Sequence, residues 1–255
     1  MNPNPDLLVI LMPLLLVMAR VTAFLMAAPI FGTPVVPKVV TLTLSVWLSV
    51  LMVHAMPPIA WDPAANWLLT VLAVVREAVI GLAIGLAAKM IFMAVQQGGT
   101  LLAQQMGLAD ASVIDPVSGE ESPHIEQFIE NAMTLLFLGA GGHLLLVALL
   151  HRGFTAFPPG ATMPDLAMLA DGLVNSGVVM LRFALGLAAP MIAAFLVLAV
   201  GLAVLARALP EMNILFESMP LRVGLGLLMT AAILPSMTSF VHEVASAMAR
   251  ILPSG

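Results

Sequence analysis

The longest interruption in this apolar chain is QQGGTLLAQQMGLADASVIDPVSGEESPHIEQ, Gln96–Gln127. It is rich in carboxylates, and no Lys or Arg lies between Lys89 and Arg152. Its first half also carries apolar residues such as Leu108 and Ile114, and such content argues against a disordered linker. Long loops between helices are commonly functional. We therefore expect this central loop to fold inward between helices and to help close a passage.

The composition indicates a polytopic membrane protein. Hydrophobic residues make up 61% of the chain and charged residues 9%, whereas soluble domains carry about 25% charged residues. The net charge of −5 comes largely from the central loop, and no basic tract predicts nucleic acid as a partner. The chain has no cysteine, which excludes disulfides and thiolate chemistry. MNPNPD at the amino end lacks the positive region of a secretory signal, so we expect the first apolar segment to be retained.

Six apolar segments predict an all-α fold of long, kinked helical segments arranged as hairpins. They span about residues 7–28, 39–56, 67–95, 128–150, 174–206 and 221–252. The first two are separated by PIFGTPVVPK, Pro29–Lys38, whose prolines forbid a continuous helix. A helix needs about 20 residues to cross a bilayer, so the third, fifth and sixth segments are overlong. Pro190 and Pro235 predict kinks that absorb part of this excess.

Most segments carry ionisable residues away from their ends. These are Arg20, Arg76, Glu77, Lys89, Arg182 and His242-Glu243. A central charge that faces lipid costs about 2.5–3.5 kcal/mol, so we expect protein or water to shelter these groups, with partner subunits contributing. Small residues at helical spacing, such as Gly81 and Gly85 or the pair Gly224 and Gly226, let helix backbones approach closely. Their spacing leaves open whether the helices pack within the chain or between subunits.

A metal site and an intramembrane protease are the alternatives to a solvated acidic loop. Glu120, Glu121, His124 and Glu126 are dense enough to consider a metal, but no HExxH motif occurs. Asp110 and Asp115 lie in a loop with Gly and Pro, whereas an intramembrane aspartyl protease needs carboxylates on facing helices. The sequence therefore predicts no enzyme and no catalytic, metal or cofactor-binding residues.

Ion-coupled transport by a secondary transporter or channel is the alternative that the residues leave open. Arg76, Glu77, Lys89 and Arg182 could line a polar pathway, and Pro190 could mark a broken helix. No convincing internal repeat supports this reading. Among the nineteen methionines, Met106 is the candidate gasket residue, because thioether side chains adapt their shape.

Four stretches of the chain resemble the FliR/SctT family of type III secretion export-gate subunits. They are APIFGTPVVPKVV at Ala28–Val40, QQMGLADASVIDP at Gln104–Pro116, GGHLLLVALLHRGFTAFP at Gly141–Pro158, and LARALPEMNILFESMPLRVGLGL at Leu205–Leu227. The pattern looks closer to the flagellar branch than to the virulence branch. Leu185–Val223 is in addition similar to FliQ, a two-helix subunit of the same machine.

The resemblance implies a non-enzymatic subunit of the flagellar export gate, multi-pass in the bacterial inner membrane within the basal body. FliP, FliQ and FlhB are the implied partner subunits, unfolded flagellar proteins the implied cargo, and membrane lipid the surroundings. Residues 1–174 would form a FliP-like portion that includes the central loop 96–127. Residues 175–255 would form a FliQ-like hairpin.

The resemblance also implies the site residues. The family's central loop plugs the pore, which corresponds here to Met106, Gly107, Leu108, Ala109, Asp110, Ala111, Ser112, Val113, Ile114, Asp115 and Pro116. The expected inter-subunit packing residues are Gly81, Gly85, Arg207, Pro210, Met212, Asn213, Phe216 and Pro220. We expect Gly98-Gly99 and Gly107 to turn the backbone, while Val113 and Ile114 narrow the lumen.

Overall fold

The computed structural model describes residues 5–33, 36–57, 67–107, 124–139, 141–160, 166–209 and 214–233. Within these ranges the chain forms seven helices and no strand. The helices are α1 (Pro5–Ala27), α2 (Lys38–Ala55), α3 (Trp67–Gln105), α4 (His124–Gly139), α5 (Gly142–Ala156), α6 (Leu166–Ala208) and α7 (Ile214–Ile233). The predicted all-α fold is confirmed.

The proline-rich break between α1 and α2 lies where the sequence predicts it. After α1 the chain turns at Ile30, whose φ of 72° is unusual for a β-branched residue. Pro37 directly precedes α2, and its carbonyl accepts the amides of Val40 and Thr41 at 2.9 and 3.3 Å. A proline is tolerated here because its missing N–H falls where a helix has no internal acceptor.

A polar stripe on α2 is buried, although this helix is otherwise apolar. Thr41, Ser45 and Ser49 are its buried polar residues. The hydroxyl of Ser45 donates to the Leu42 carbonyl at 2.7 Å, and that of Ser49 to the Ser45 carbonyl at 2.5 Å. Because these small hydroxyls satisfy themselves on nearby backbone, α2 packs against α1 without leaving unpaired polar groups on this stripe.

The start of the central loop is helical, which corrects its predicted boundary. Helix α3 continues through Gly98-Gly99 to Gln105, so the prediction of a turn at this glycine pair is wrong. Each glycine costs a helix interior about 1 kcal/mol, and burial of both residues favours the helix despite that cost. Helix α3 ends instead at Gln105, two residues before Gly107, whose φ is 74°.

The predicted fourth segment, residues 128–150, is two helices rather than one. Helix α4 ends at Gly139 and α5 begins at Gly142. Gly141, with φ of 81°, donates its amide to the Leu138 carbonyl at 3.1 Å. A glycine in the left-handed region is a common way to end a helix, so the glycine run breaks the segment.

Two other boundaries differ from those predicted. Helix α6 begins at Leu166, before the predicted start of the fifth segment. Helix α7 begins at Ile214, within residues 207–220, which the predicted bounds leave as a connection between the fifth and sixth segments. Pro220 therefore lies within a helix. Pro235 and the rest of the sixth segment lie outside the described residues.

Among the described residues, three helices are long and apolar enough to cross a membrane. The qualifying stretches are Lys38–Ala55, Trp67–Leu102 and Leu169–Ala208, with 18, 36 and 40 residues. At about 1.5 Å per residue, the last two exceed a hydrocarbon core of about 30 Å. The predicted excess length is confirmed for these two helices.

The chain divides into two compact units. The first contains α1, α2, α3 as far as Phe92, α5, and α6 as far as Val178. The second contains α3 from Met93, α4, α6 from Val179, and α7. The bounds of these units differ from those of the predicted portions 1–174 and 175–255. The likeness of those two portions to FliP and FliQ stays a prediction.

Candidate functional site

A fully buried ion pair joins two helices of the first unit. Arg20 lies on α1 and Glu77 on α3, and neither side chain is exposed to solvent. Nε of Arg20 donates to Oε2 of Glu77 at 2.6 Å, and Nη2 forms an ion pair with the same oxygen. Buried charges require such a partner, so these two groups, expected to need shelter, receive it within the chain.

Arg20 also holds the end of α5. Its Nη1 donates to the carbonyls of Gly153 at 3.1 Å and Phe157 at 2.7 Å. The last carbonyls of a helix lack partners within it and carry partial negative charge. The Arg20 guanidinium carbon lies 4.5 Å from the ring centroid of Phe154, within range of a cation–π contact. One side chain therefore joins α1, α3 and α5.

Arg76 is the weaker neighbour of this pair. Its Nη1 lies 3.3 Å from Oε1 of Glu77, and its side chain is 8% exposed. Its Nε is buried and makes no hydrogen bond. An unsatisfied buried donor costs about 1–3 kcal/mol. Nη2 of Arg20 also makes no hydrogen bond, but it forms an ion pair with Glu77, so Arg76 is held less favourably than Arg20.

Replacing Arg76 with Met is therefore expected to lower the free energy of unfolding by less than about 1 kcal/mol, or to raise it. The substitution removes the unsatisfied donor and keeps the apolar stem, so its two effects oppose each other. Unfolding of the purified chain in mixed detergent micelles measures the change. A loss of several kcal/mol would show instead that Arg76 is essential to the cluster.

Helices α1 and α3 approach closely at the predicted glycine pair. A methyl group on Gly81 would overlap the Arg20 carbonyl oxygen, and one on Gly85 would lie 2.6 Å from the Phe24 carbonyl oxygen. Only glycine fits such a backbone approach. The glycine pair therefore packs helices within the chain, and its predicted part in inter-subunit packing stays a prediction.

The described part of the predicted plug, Met106 and Gly107, lies in the second unit. Leu102 and Met106, at the end of α3, are buried together with Met191 and Phe195 of α6. Partly buried residues pack around this cluster; they are Leu198, Val223, Leu225 and Met229. Met106 is thus a core residue of its unit, and its predicted role as a gasket stays a prediction.

The side chain of Met106 lies against the backbone of α7. A methyl group on Gly226 would come within 2.7 Å of the Met106 Cε and closer to its Cγ and Sδ. The neighbouring Gly224 faces open space. Sequence spacing treats these two glycines alike, so it did not identify Gly226 as the contact of Met106.

The other predicted site residues are placed only in part. Arg207 and Pro220 are exposed, on α6 and α7. Phe216 belongs to α7, but its side chain lies outside the description. Leu108–Pro116, Pro210, Met212 and Asn213 lie outside the described residues. Within the described ranges, no three His, Cys, Asp or Glu side chains are placed to hold a metal ion.

The long apolar helices and the charges paired inside the first unit define an all-α membrane protein. Residues 11–248 match the family "Bacterial export proteins, family 1". Because this match covers most of the sequence, the chain belongs to that family.

Curated relatives extend over most of the chain. It is similar to "Flagellar biosynthetic protein FliR" of Escherichia coli strain K12, with 31% identity over 91% of this chain and 88% of the relative. It is similar to the protein of the same name from Bacillus subtilis strain 168, with 30% identity over 84% and 83%. "Yop proteins translocation protein T" of Yersinia pestis is 26% identical over 60% of this chain and 59% of the relative.

Proposed function

We propose that the chain is a non-enzymatic subunit of the flagellar type III export gate, where it helps to form and plug the pore for unfolded flagellar proteins. The observation that carries this proposal is the family match over residues 11–248. Relatives with flagellar names that align over most of their own length support the flagellar branch. The proposed cellular location is the inner membrane, within the basal body.

The exposed surface of the long helices supports assembly with other chains. Large apolar side chains such as Trp47, Val197 and Leu196 are more than half exposed, so lipid or protein must cover them. Arg182 is exposed within the membrane-length stretch Leu169–Ala208. Because a charge in lipid is costly, water or a neighbouring subunit is the proposed environment of Arg182. FliP, FliQ and FlhB are the proposed neighbours.

The end of α3 supports the plug. This membrane-length helix stops at a glycine with positive φ, Gly107, and the chain then enters the segment Leu108–Pro116. Leu108, Val113 and Ile114 supply apolar bulk, and we propose that this bulk closes the lumen by steric contact.

Deleting Ala109–Ile114 is expected to make the assembled gate leak small ions, because the narrowing side chains are removed. Single-channel conductance of the purified complex in planar bilayers measures the leak. Deleting Gly119–Ser122, in the acidic half of the same loop, is the matched control and should leave the gate closed. Equal conductance for the wild type and the 109–114 deletion would refute the plug.

The described residues do not favour the transporter alternative. Glu77 is fully buried against Arg20, so this carboxylate lines no water-filled path within its unit. Gradient-driven, saturable uptake by proteoliposomes that contain only this chain would reverse that conclusion.

A further inference from the structure

We infer that Met106, seated on Gly226, is a positioning residue that fixes the start of the plug against α7. This inference rests on the proposed function, because it concerns how the same loop is held. We call the contact of Met106 with Gly226, Met191 and Phe195 the Met106 seat.

Burial is the first support for the seat. Met106 is 1% exposed, although it lies just beyond the last residue of α3. Helix ends commonly fray, yet the Met106 amide still donates to the Leu102 carbonyl at 3.0 Å. Met191 and Phe195 of α6 complete the buried cluster. The end of α3 is therefore held by side-chain packing, with a flexible thioether filling the space.

The absence of a side chain at Gly226 is the second support. Three atoms of the Met106 side chain occupy the space that a methyl group on Gly226 would need. Gly224, two positions before Gly226, faces open space. Of these two glycines, only Gly226 is required by the position of Met106.

The distance along the chain is the third support. Gly107 follows Met106 directly, and its amide donates to the Gln104 carbonyl at 3.0 Å. Leu108, the first apolar residue of the proposed plug, comes next. Consecutive Cα atoms are about 3.8 Å apart, and Leu108 is only two residues from Met106. The covalent chain therefore keeps Leu108 close to the seat. A shift of α7 against α3 would consequently move the point from which the plug extends.

The test uses the absence of cysteine in the natural chain. A single Leu108→Cys substitution in the assembled export gate provides a reporter for labelling by a water-soluble maleimide. Gly226→Ala is expected to displace Met106 and raise the labelling rate roughly tenfold, which corresponds to about 1.4 kcal/mol. Gly224→Ala is the matched control and should leave the rate unchanged.

A second background tests the contact itself. Met106→Ala also removes the seat, so it should raise the labelling rate, and adding Gly226→Ala should then change nothing further. The inference is overturned if Gly226→Ala behaves like Gly224→Ala, or if its effect persists with Met106 removed. Should Gly226→Ala prevent accumulation of the gate, an unchanged labelling rate in Met106→Ala would overturn it equally.

Conductance separates this inference from the proposed function. Faster labelling in Gly226→Ala together with a leak in the 109–114 deletion supports both the seat and the plug. Faster labelling in Gly226→Ala with unchanged conductance in the 109–114 deletion supports the seat and contradicts the plug. An unchanged labelling rate beside a leaking 109–114 deletion supports the plug and contradicts the seat.

Discussion

Replacing Arg20 with Met is expected to lower the free energy of unfolding by about 3–5 kcal/mol, the usual cost of leaving a buried charge without its partner. Glu77 would be left with the weaker contact with Arg76, at 3.3 Å, and with a hydrogen bond from the Gly160 backbone. The Phe157 carbonyl would lose its Arg20 donor, and the Gly153 carbonyl would keep only the Phe157 amide, at 3.1 Å. Unfolding of the purified full-length chain in mixed detergent micelles measures the loss.

The double variant Arg20→Met with Glu77→Met separates charge burial from packing. Replacing both members of a buried pair with apolar residues is often neutral, so most of the loss should be recovered. Arg76→Met is the matched single control, since it removes a guanidinium from the same carboxylate. A double variant no more stable than Arg20→Met would show that the loss arises from the α5 carbonyls or from Arg76, which the double variant leaves without its carboxylate.

The need for sheltered charges could be predicted from the sequence, but the identity of the partners could not. Arg20 and Glu77 stand out because charge is costly in lipid. They are 57 positions apart, and Arg20 is 133 positions from Gly153. Contacts at such separations are set by how the helices pack, which single-sequence patterns do not encode. Sequence reasoning therefore assigned part of the shelter to other subunits.

The glycines show the same limit at shorter range. Gly98-Gly99 continues a helix, whereas Gly107 and Gly141 end helices. Glycine permits either conformation, so its surroundings decide between them. The prolines of Pro29–Lys38 were better guides, because the ring removes a donor and fixes φ, although Pro220 lies inside α7. The break before α2 was accordingly predicted, and the division of the fourth segment was not.

The glycine pair and the ion pair together explain how the first unit is held. Between helices in lipid, close packing and hydrogen bonds replace much of the hydrophobic driving force. Gly81 brings α1 and α3 into backbone contact at Arg20 itself. The ion pair then forms on helices that are already close. The approach of α1 to α3 and the Arg20–Glu77 ion pair therefore depend on the same contact.

Gly81→Ala is the second substitution expected to have a large effect. Its methyl group would overlap the Arg20 carbonyl oxygen and lie 3.1 Å from the Arg20 Cα. Backbone must therefore move, because no flexible side chain can yield. Overpacking costs about 1–3 kcal/mol and occasionally more, and we expect the upper end of that range. Unfolding in mixed detergent micelles again gives the measurement.

Two controls locate the origin of this loss. Gly186→Ala, exposed on α6 with nothing within 4 Å of the added methyl, should cost little. Combined with Arg20→Met, Gly81→Ala should cost less than the sum of the two single losses, because residues in contact couple. If Gly81→Ala costs no more than Gly186→Ala, the close approach of α1 and α3 is absent in the membrane. Strict additivity with Arg20→Met would instead mean that the glycine contact and the ion pair act independently.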